Sequence, residues 1–518
     1  MENFFLVVVQ TNLSLKQPLV HLRVNMASVN PILYQNAEGD ITLIDIPRSI
    51  AAAQGDRSGV LLSSAPLEAP IVPKEDYRPK TQKAKAKRSP DADSMQLVEQ
   101  TGRLSVSKQD GVLEATPHQT VDPSKLDFQS LHLDDVRYKF LVEHALSQIR
   151  TQVSGPWCAQ RKLISQTPLH GEEEAMDVDR ISEKELESRM REWASWSERK
   201  GEDTAFNLQQ MMASLGATYE AAGPAVGAQK WSVSYQTARE PASDTQVAAT
   251  ASHEAQTEPW TCTFHNPNCQ SLELTITERT PQSAPPGPEY RFTVPPRSTL
   301  FLSDSTASDA FRTSFRELTD EFTLPRHFDL VLLDPPWPNR SAKRKGAYEQ
   351  VGGMPYLKKM LLNMDIDSYL EHGALVGVWI TNKEALRAHV LGPGGLFETW
   401  NVGLVEEWVW VKTTTKGEPM FDIDGSMRKP YEILLLGRAA PNSWTTMTHA
   451  PNIKRRVIAA VPDIHSRKPC LKGLLEPYLL DPTDYSALEV FSRYLVSGWT
   501  SWGNEVLKYN WHGYWAPA

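Results

Sequence analysis

The second half of the chain is predicted to fold as an α/β domain. From about residue 299 onward, short apolar runs alternate with segments in which apolar residues recur at helical spacing. The run 328–333 is almost entirely apolar, which is typical of a parallel strand covered on both faces. These two features, together with the absence of an internal repeat, predict a three-layer α/β/α domain at about 259–518.

The elements of this domain follow from the same patterns. Apolar and β-branched runs predict strands at 299–303, 328–333, 374–380, 404–411, 431–436 and 487–491. Helical periodicity predicts helices at 307–318, 355–370, 382–390 and 470–479. Ahead of them, 272–277 and 290–294 alternate between apolar and polar residues around a proline-rich turn, which predicts two further strands.

Residues 1–125 are predicted to be largely disordered. The segment 51–125 is poor in aromatic residues and rich in Ser, Pro, Lys and Ala, so it has little to bury in a core. The exception is 31–50, where two short apolar runs, 32–34 and 41–44, flank a polar loop and predict a hairpin.

Residues 126–258 are predicted to form a mostly helical accessory domain with a linker. Apolar residues at helical spacing predict one helix at 127–150. A second helix is expected to begin after Ser182, because Glu185 stands three residues on and completes a capping box.

The composition argues against several classes of protein. A net charge of -9 and an isoelectric point of about 5.9 argue against phosphate binding by the whole surface, although a local basic groove remains compatible with them. No apolar run reaches the roughly 18 residues of a membrane span. The four cysteines, Cys158, Cys262, Cys269 and Cys470, form neither a CxxC pair nor a zinc spacing with His, so no metal and a reducing compartment are expected.

Two N-terminal features bear on processing and location. The first residues lack the basic and apolar regions of a signal peptide, and Met26 opens a segment typical of a protein start, which makes residues 1–25 a candidate extension. The basic run 80–88 has two interpretations that its residues do not separate. It is either a solvated linker or a segment for nuclear import or nucleic-acid contact.

The strand predicted at 328–333 is followed directly by Asp334, Pro335, Pro336 and Trp337. Ligands of open α/β sheets bind at the carboxyl ends of the strands, which is where this tetrapeptide lies. A rigid turn is the alternative, since two prolines stiffen any loop. The tryptophan and the position after an apolar strand favour a functional motif.

This motif resembles that of the adenine-N6 methyltransferases, the family that includes the catalytic subunit of the mRNA N6-methyladenosine writer. Further segments resemble the family's motifs at 378–383, 407–412, 465–469, 488–493 and 503–505. The likeness is greatest to the subgroup called methyltransferase-like protein 4, through 335–344, 429–432 and 498–508. It covers 295–518 strongly and 26–295 weakly. It implies a Rossmann-like methyltransferase domain in which the catalytic motif precedes the donor-binding strand.

The residue types of the motif suit methylation of an exocyclic amine. Adenine N6 is a poor nucleophile because its lone pair is delocalised into the ring. Asp334 can accept one N6–H and the carbonyl of Pro335 the other, while Pro336 keeps the backbone stiff. Trp337 offers a face for the base, and such stacking contributes roughly 1–3 kcal/mol. Alignment and electrostatics are expected to supply most of the rate.

The resemblance implies S-adenosylmethionine as cofactor. Its expected binding residues, matched position by position to the family, are Asp304, Ser305, Asp334, Lys468, Phe491, Arg493, Asn504 and Glu505. Lys468 would meet the carboxylate of the donor, which is a favourable ion pair. Tyr494 and Leu495 depart from the family's pattern, which often has Asn at this point.

Substrate contacts are expected directly after the motif and near residue 430. The candidates are Asn339, Ser341, Lys343, Arg344, Tyr348, Lys429, Tyr431 and Glu432. The basic residues among them suit phosphate contacts, with an ordinary surface loop as the alternative for 339–348. For Lys429 and Glu432 the alternative is a structural ion pair.

Four hypotheses about function remain open. The first is N6 methylation of RNA adenine, with 2′-O-methyladenosine in small nuclear RNA implied by the subgroup resemblance, and the second is the same chemistry on DNA. The third is an inactive partner that only binds nucleic acid, and the fourth is a scaffold whose degenerate Rossmann sheet binds no methyl donor. The accessory domain is expected to widen the nucleic-acid groove and to replace a second subunit, so a monomer is predicted. The nucleus, with the cytosol in addition, is the expected location.

Overall fold

The computed structural model of the protein describes residues 30–55, 59–72, 128–164, 183–204, 230–237, 257–279, 287–338, 353–425, 428–447 and 453–517. Of the described residues, those within 30–70 and those from 138 onward belong to one compact unit, and 71–72 and 128–137 belong to a second.

The strands of the described residues are numbered in chain order. They are β1 Ile32–Gln35, β2 Ile41–Ile44, β3 Gly59–Leu61, β4 Trp231–Thr237, β5 Thr257–Pro259, β6 Thr263–His265, β7 Leu272–Glu278, β8 Glu289–Val294, β9 Thr299–Leu302, β10 Phe328–Leu333, β11 Leu370–Thr381, β12 Val402–Lys412, β13 Tyr431–Ala439, β14 Lys454–Ala460, β15 Ala487–Val490, β16 Thr500–Gly503 and β17 Trp515–Pro517.

The helices are numbered in the same way. They are α1 Ile46–Ala53, α2 Phe128–Gln152, α3 Glu183–Thr204, α4 Ser308–Phe322, α5 Gly353–Asn363, α6 Glu384–Leu391, α7 Leu396–Thr399, α8 Ser443–Met447 and α9 Lys472–Leu475. Single 3₁₀ turns lie at Ile366–Tyr369, Glu476–Tyr478, Lys508–Asn510 and His512–Tyr514.

An eleven-stranded mixed sheet organises the chain, in the order β1-β2-β14-β12-β13-β11-β10-β15-β16-β9-β6. Strands β11, β10, β15, β16 and β9 are parallel neighbours, so their carboxyl ends lie along one side, here called the carboxyl edge. Strand β13 runs antiparallel to β11 and β12, which places its first residues and the end of β12 at the same edge. The predicted α/β class is confirmed.

The prediction of disorder is wrong for the described residues 51–55 and 59–72, which contain the end of α1 and strand β3. The predicted hairpin is present as β1 and β2, but β2 also pairs in parallel with β14 and thereby extends the large sheet. Strand β3 pairs with β17 near the C-terminus. The physical reason is apolar burial, since Leu43, Ile46 and Ile50 are fully buried. Residues 73–127 lie outside the described residues.

The mostly helical accessory domain is not supported, although both predicted helices are present as α2 and α3. From Tyr138 onward, α2 contributes Val142 and Ile149 to the core beneath the large sheet. Helix α3 buries Trp193 edge-on against Tyr290, in the four-stranded sheet β5-β4-β7-β8. The interval 126–258 thus contributes strands as well as helices. Its helices pack against the large sheet and the four-stranded sheet and do not form a separate core.

Strands β14 and β16 and the end of one helix are among the features that escaped prediction. Strand β14 begins with Lys454, Arg455 and Arg456. Three charged residues in succession lack the apolar pattern by which a buried strand is recognised in a sequence. Strand β16 is the short polar run Thr500–Gly503. The helix predicted at 355–370 ends at Asn363, because Asp365 takes a left-handed φ of 49°.

Candidate active site

Charged side chains from three separate elements meet at the carboxyl edge. Asp334 follows β10, Glu432 stands at the start of β13, and Lys468 lies in the loop after β14. The Nζ of Lys468 lies 2.9 Å from Oδ2 of Asp334 and 2.9 Å from Oε2 of Glu432. The Nζ of Lys412 lies 2.6 Å from Oε1 of Glu432. Two cations and two carboxylates therefore alternate along the edge.

The opposite charges around Lys468 and Glu432 favour the ionised forms of these two side chains. Burial lowers the pKa of Lys468, but the carboxylates of Asp334 and Glu432 outweigh it and raise that pKa above its ordinary value. Burial raises the pKa of Glu432, but Lys468 and Lys412 outweigh it and lower that pKa to about 2. The Nζ of Lys468 also lies 5.3 Å from the ring centroid of Trp379, a favourable cation–π distance.

The Asp334 carboxylate combines a fixed position with access to solvent. Its side chain is 37% exposed, whereas that of Lys468 is 16% exposed. Lys468 therefore holds one carboxylate oxygen of Asp334 in place, while the carboxylate stays accessible to solvent. This arrangement suits a carboxylate that accepts a hydrogen bond from a substrate amine.

Hydrogen bonds tie the rest of the motif to β11 and to itself. The indole Nε1 of Trp337 donates to the carbonyl oxygen of Trp379 at 2.6 Å. The backbone N–H of Trp337 donates to the carbonyl of Pro335 at 2.7 Å, which leaves that oxygen a second lone pair. Trp337 is only 8% exposed, so its ring is largely covered. Base stacking on Trp337 stays a prediction.

The predicted cofactor residues after β15 and β16 lie close together. The Nε of Arg493 is 3.2 Å from Oε2 of Glu505. Phe491 has a φ of 64°, a left-handed conformation that costs an aromatic residue on the order of 1–3 kcal/mol. A Cβ on Gly503 would lie 3.2 Å from the carbonyl oxygen of Ser492, so glycine permits the close approach of the two loops. Asn504 is exposed beside them.

The remaining predicted cofactor residues follow β9, which neighbours β16. Oδ1 of Asp304 accepts hydrogen bonds from the backbone N–H and the hydroxyl of Thr306, both at 2.8 Å. Ser305 is buried. The strand order therefore brings Asp304 and Ser305 to the carboxyl edge that also carries Asp334.

The structure describes only some of the predicted substrate residues, and their contacts differ. Asn339, Ser341, Lys343, Arg344 and Tyr348 lie outside the described residues. Lys429 donates from Nζ to the carbonyl of Ile423 at 3.1 Å. Tyr431 is buried, with its ring centroid 5.8 Å from that of Tyr138. Glu432 takes the ion-pair alternative, but its partners are Lys412 and Lys468 instead of Lys429.

Two polar residues of the site stand outside the predicted cofactor and substrate sets, although the position of Glu489 at a strand end is typical of a sugar-binding acid, with a buried structural residue as the alternative. Lys412 ends β12, and the register that pairs Trp410 with Glu432 brings it to the carboxyl edge. Glu489 lies near the end of β15 and accepts a hydrogen bond from the Ser492 hydroxyl at 3.2 Å. Burial and the nearby charge of Asp334 raise the pKa of Glu489 to about 7. An acidic residue near a strand end was the available sequence signal for Glu489.

Glu489→Gln is expected to remove one pH dependence of stability. A carboxyl whose folded pKa is raised to about 7 favours folding below its unfolded pKa, near 4.5, and loses that contribution as pH rises to 7. Urea unfolding midpoints at pH 4.5 and pH 7.5 measure the effect. The loss of stability between these pH values should be smaller in the variant than in the parent protein. Equal losses in both would contradict the raised pKa.

Metal and membrane features are absent from the part of the chain that the structure describes. No cluster of three or more His, Cys, Asp or Glu side chains is arranged to hold a metal there. None of the helices described is long and apolar enough to cross a membrane. Cys158, Cys262, Cys269 and Cys470 form no disulfide bond within the described residues.

Sequence comparisons with known proteins match the region of the chain that contains this site. The MT-A70 family model matches residues 328–505, from the start of β10 to Glu505. N6-methyladenosine RNA methyltransferase MTA1 of Cryphonectria parasitica is 43% identical over 192 residues, which are 37% of this chain and 55% of that protein. N(6)-adenine-specific methyltransferase METTL4 of Homo sapiens is 32% identical over 225 residues, 42% of this chain and 44% of that protein.

A third relative is named for a different substrate, DNA. The DNA N6-methyl methyltransferase of Caenorhabditis elegans is 31% identical over 217 residues, which are 42% of this chain and 53% of that protein. The chain thus spans about half the length of the curated relatives it matches. Asp334, Glu432, Lys468 and Arg493 all lie within residues 328–505, which match the MT-A70 family model, and the relatives that match this region are named as adenine-N6 methyltransferases.

Proposed function

We propose that this chain transfers a methyl group from S-adenosylmethionine to N6 of adenine in RNA. The observation that carries the proposal is the partly exposed Asp334 carboxylate, held by Lys468 at the carboxyl edge of an MT-A70 domain. The proposed substrate is 2′-O-methyladenosine of small nuclear RNA, from the resemblance to the methyltransferase-like protein 4 subgroup. The relative named a DNA N6-methyl methyltransferase favours DNA adenine as the second candidate.

The polar groups at the edge fit the proposed cofactor. Oε2 of Glu505 is buried and, although 3.2 Å from the Nε of Arg493, accepts no hydrogen bond within the described residues. Such an orphaned acceptor suits a ribose hydroxyl. Lys468 supplies a cation for the methionine carboxylate, while Asp304 and Ser305 stand where the adenine end is expected. When bound, S-adenosylmethionine supplies an electrophilic methyl group on a sulfonium.

The residues of the motif then have defined tasks toward the adenine. Asp334 accepts one N6–H, and the second lone pair of the Pro335 carbonyl accepts the other. These two acceptors would orient the nitrogen lone pair of the amine toward the methyl group that the bound cofactor would supply. The proton of the methylated amine would pass to Asp334 or to solvent only after the nitrogen has become positively charged, so no strong base is required. The rate gain comes from alignment and from the fixed negative charge of Asp334.

Several broader properties belong to the same proposal. We infer a Rossmann-like methyltransferase fold with permuted motif order, a monomer, and a nuclear location with the cytosol in addition. The run of parallel strands ending at Asp334 supports the fold. The basic run 80–88, which supports the location, lies outside the described residues. The intact motif 334–337 and Lys468 argue against an inactive binding partner.

A methyl-transfer assay with labelled S-adenosylmethionine tests the function. Three matched oligonucleotides are compared: RNA with 2′-O-methyladenosine, the same RNA unmodified, and the corresponding DNA. Transfer to the first above the others is the expected result, with the label recovered in N6-methylated adenosine. A preference for DNA would replace the first candidate by the second. Donor binding without transfer to any oligonucleotide would contradict the proposed substrates.

A further inference from the structure

The loop that carries Lys468 is held by residues outside the MT-A70 match. This loop follows β14 and includes Asp463, Arg467 and Cys470. It also contains Ser466, whose φ of 70° is left-handed and therefore costly for a non-glycine residue. A loop with this conformation persists only where its surroundings impose it, so the contacts around it determine the position of Lys468.

A buried ion pair forms the centre of these contacts. Nη1 of Arg467 lies 2.6 Å from Oδ2 of Asp463, and both side chains are fully buried. The same Nη1 donates to the carbonyl of Leu62 at 2.9 Å. Oδ1 of Asp463 accepts from the backbone N–H of Ser64 at 2.8 Å and from its hydroxyl at 3.2 Å. Leu62 and Ser64 of the N-terminal segment thus hydrogen-bond to both members of the pair, and Arg467 is the residue that directly precedes Lys468.

Two further contacts secure the two ends of the loop. The guanidinium of Arg161 donates to the carbonyls of Val461 and Pro462, both at 2.9 Å. On the far side of Lys468, the backbone N–H of Cys470 donates to the Ser49 hydroxyl at 3.0 Å. Ser49 is buried in α1, where its hydroxyl also donates to the carbonyl of Ile46 at 2.7 Å.

We propose that the Asp463–Arg467 pair and Ser49 are positioning residues that set Lys468 between Asp334 and Glu432. Ser49, Leu62 and Ser64 then belong to the surroundings that shape the cofactor site, although they lie far outside residues 328–505. The physical basis is that a buried pair tolerates little movement, because separating it leaves an uncompensated charge away from water. This inference rests on the proposed function, since Lys468 is taken to meet the cofactor.

Ser49→Ala is the gentlest test, because it removes one acceptor and leaves the backbone of α1 in place. Ser63→Ala is the matched control, since Ser63 is also buried but its hydroxyl donates to the nearby carbonyl of Leu61 and, within the part of the chain that the structure describes, makes no hydrogen bond with the Lys468 loop. Loss of one hydrogen bond costs about 0.5–1.5 kcal/mol, which corresponds to roughly a 2- to 13-fold weaker affinity for S-adenosylmethionine. Binding of S-adenosylmethionine to the full chain is measured by calorimetry, with thermal unfolding of each variant alongside.

A double-mutant cycle with Lys468→Gln separates positioning from general structure. We expect Ser49→Ala to weaken S-adenosylmethionine binding several-fold in the parent chain and to have no further effect once Lys468 is replaced. Ser63→Ala should leave binding unchanged. Equal effects of Ser49→Ala with and without Lys468, or equal binding by the Ser49 and Ser63 variants, would overturn the inference.

Two controls keep the inference distinct from the proposed function. Absence of binding by the parent chain would overturn both the inference and the proposed cofactor, whereas additive effects with normal parent binding overturn the inference alone. Asp463→Asn is a second, stronger variant that keeps the shape of the side chain. If folded, it should weaken binding more than Ser49→Ala does, and unchanged binding would again contradict the role of the pair.

Discussion

Asp334→Asn is expected to lower kcat for methyl transfer by about 100-fold or more while the protein stays folded. The substitution keeps the shape of the side chain but removes the charge that faces Lys468 at 2.9 Å. It also replaces an oxygen that accepts a hydrogen bond by an amide group that donates one. Losses of about 10²–10³ in kcat are typical when one preorganised electrostatic contact at a reacting centre is removed.

The partial exposure of the Asp334 side chain makes a loss of turnover distinguishable from a loss of stability. Because the side chain is 37% exposed, its replacement should move the thermal midpoint only slightly. Asp320, an exposed residue of α4 that pairs with Arg326, provides the matched control, and Asp320→Asn should retain full turnover. Undiminished transfer by folded Asp334→Asn would refute the assigned role of the carboxylate.

Glu407→Gln is expected to produce the largest loss of stability among these substitutions. Glu407 lies in β12 with a fully buried side chain, pairs with Arg387, and accepts from Arg455 at 2.7 Å and from the Tyr138 hydroxyl at 2.8 Å. Burial raises its pKa, but the two arginines outweigh it and hold that pKa below its usual value. Removing the carboxylate leaves two guanidinium groups without their counter-charge, which costs about 3–5 kcal/mol in comparable buried pairs.

Urea unfolding followed by tryptophan fluorescence measures this loss. The unfolding midpoint of Glu407→Gln should fall well below that of the parent chain, while Asp320→Asn should leave the midpoint nearly unchanged because its ion pair is exposed. Since Tyr138 and Arg455 belong to α2 and β14, the result also tests whether α2 is integral to the large unit. A midpoint for Glu407→Gln equal to that of Asp320→Asn would show that the network contributes little.

Much of the large sheet was predictable because its strands combine two signals. The run Phe328–Leu333 is apolar over almost its whole length, and its end is marked by Asp334 and two prolines. Strand β14 lacked this signature, since Arg455 and Arg456 occupy positions where a buried strand normally has apolar residues. Their partners, Glu407 and Glu406, lie 48 and 50 residues away along the chain and meet them only through the pairing of β12 with β14.

By itself, the sequence determined the α/β class and the motif at Asp334, because apolar patterning and a proline-stiffened loop are local properties. The tertiary structure decided which groups surround that carboxylate. Lys468 and Glu432 reach Asp334 because strand order brings distant strand ends to one edge. Ser49 and Leu62 joined the site in the same way, since a buried hydrogen bond requires a partner in space and not along the chain.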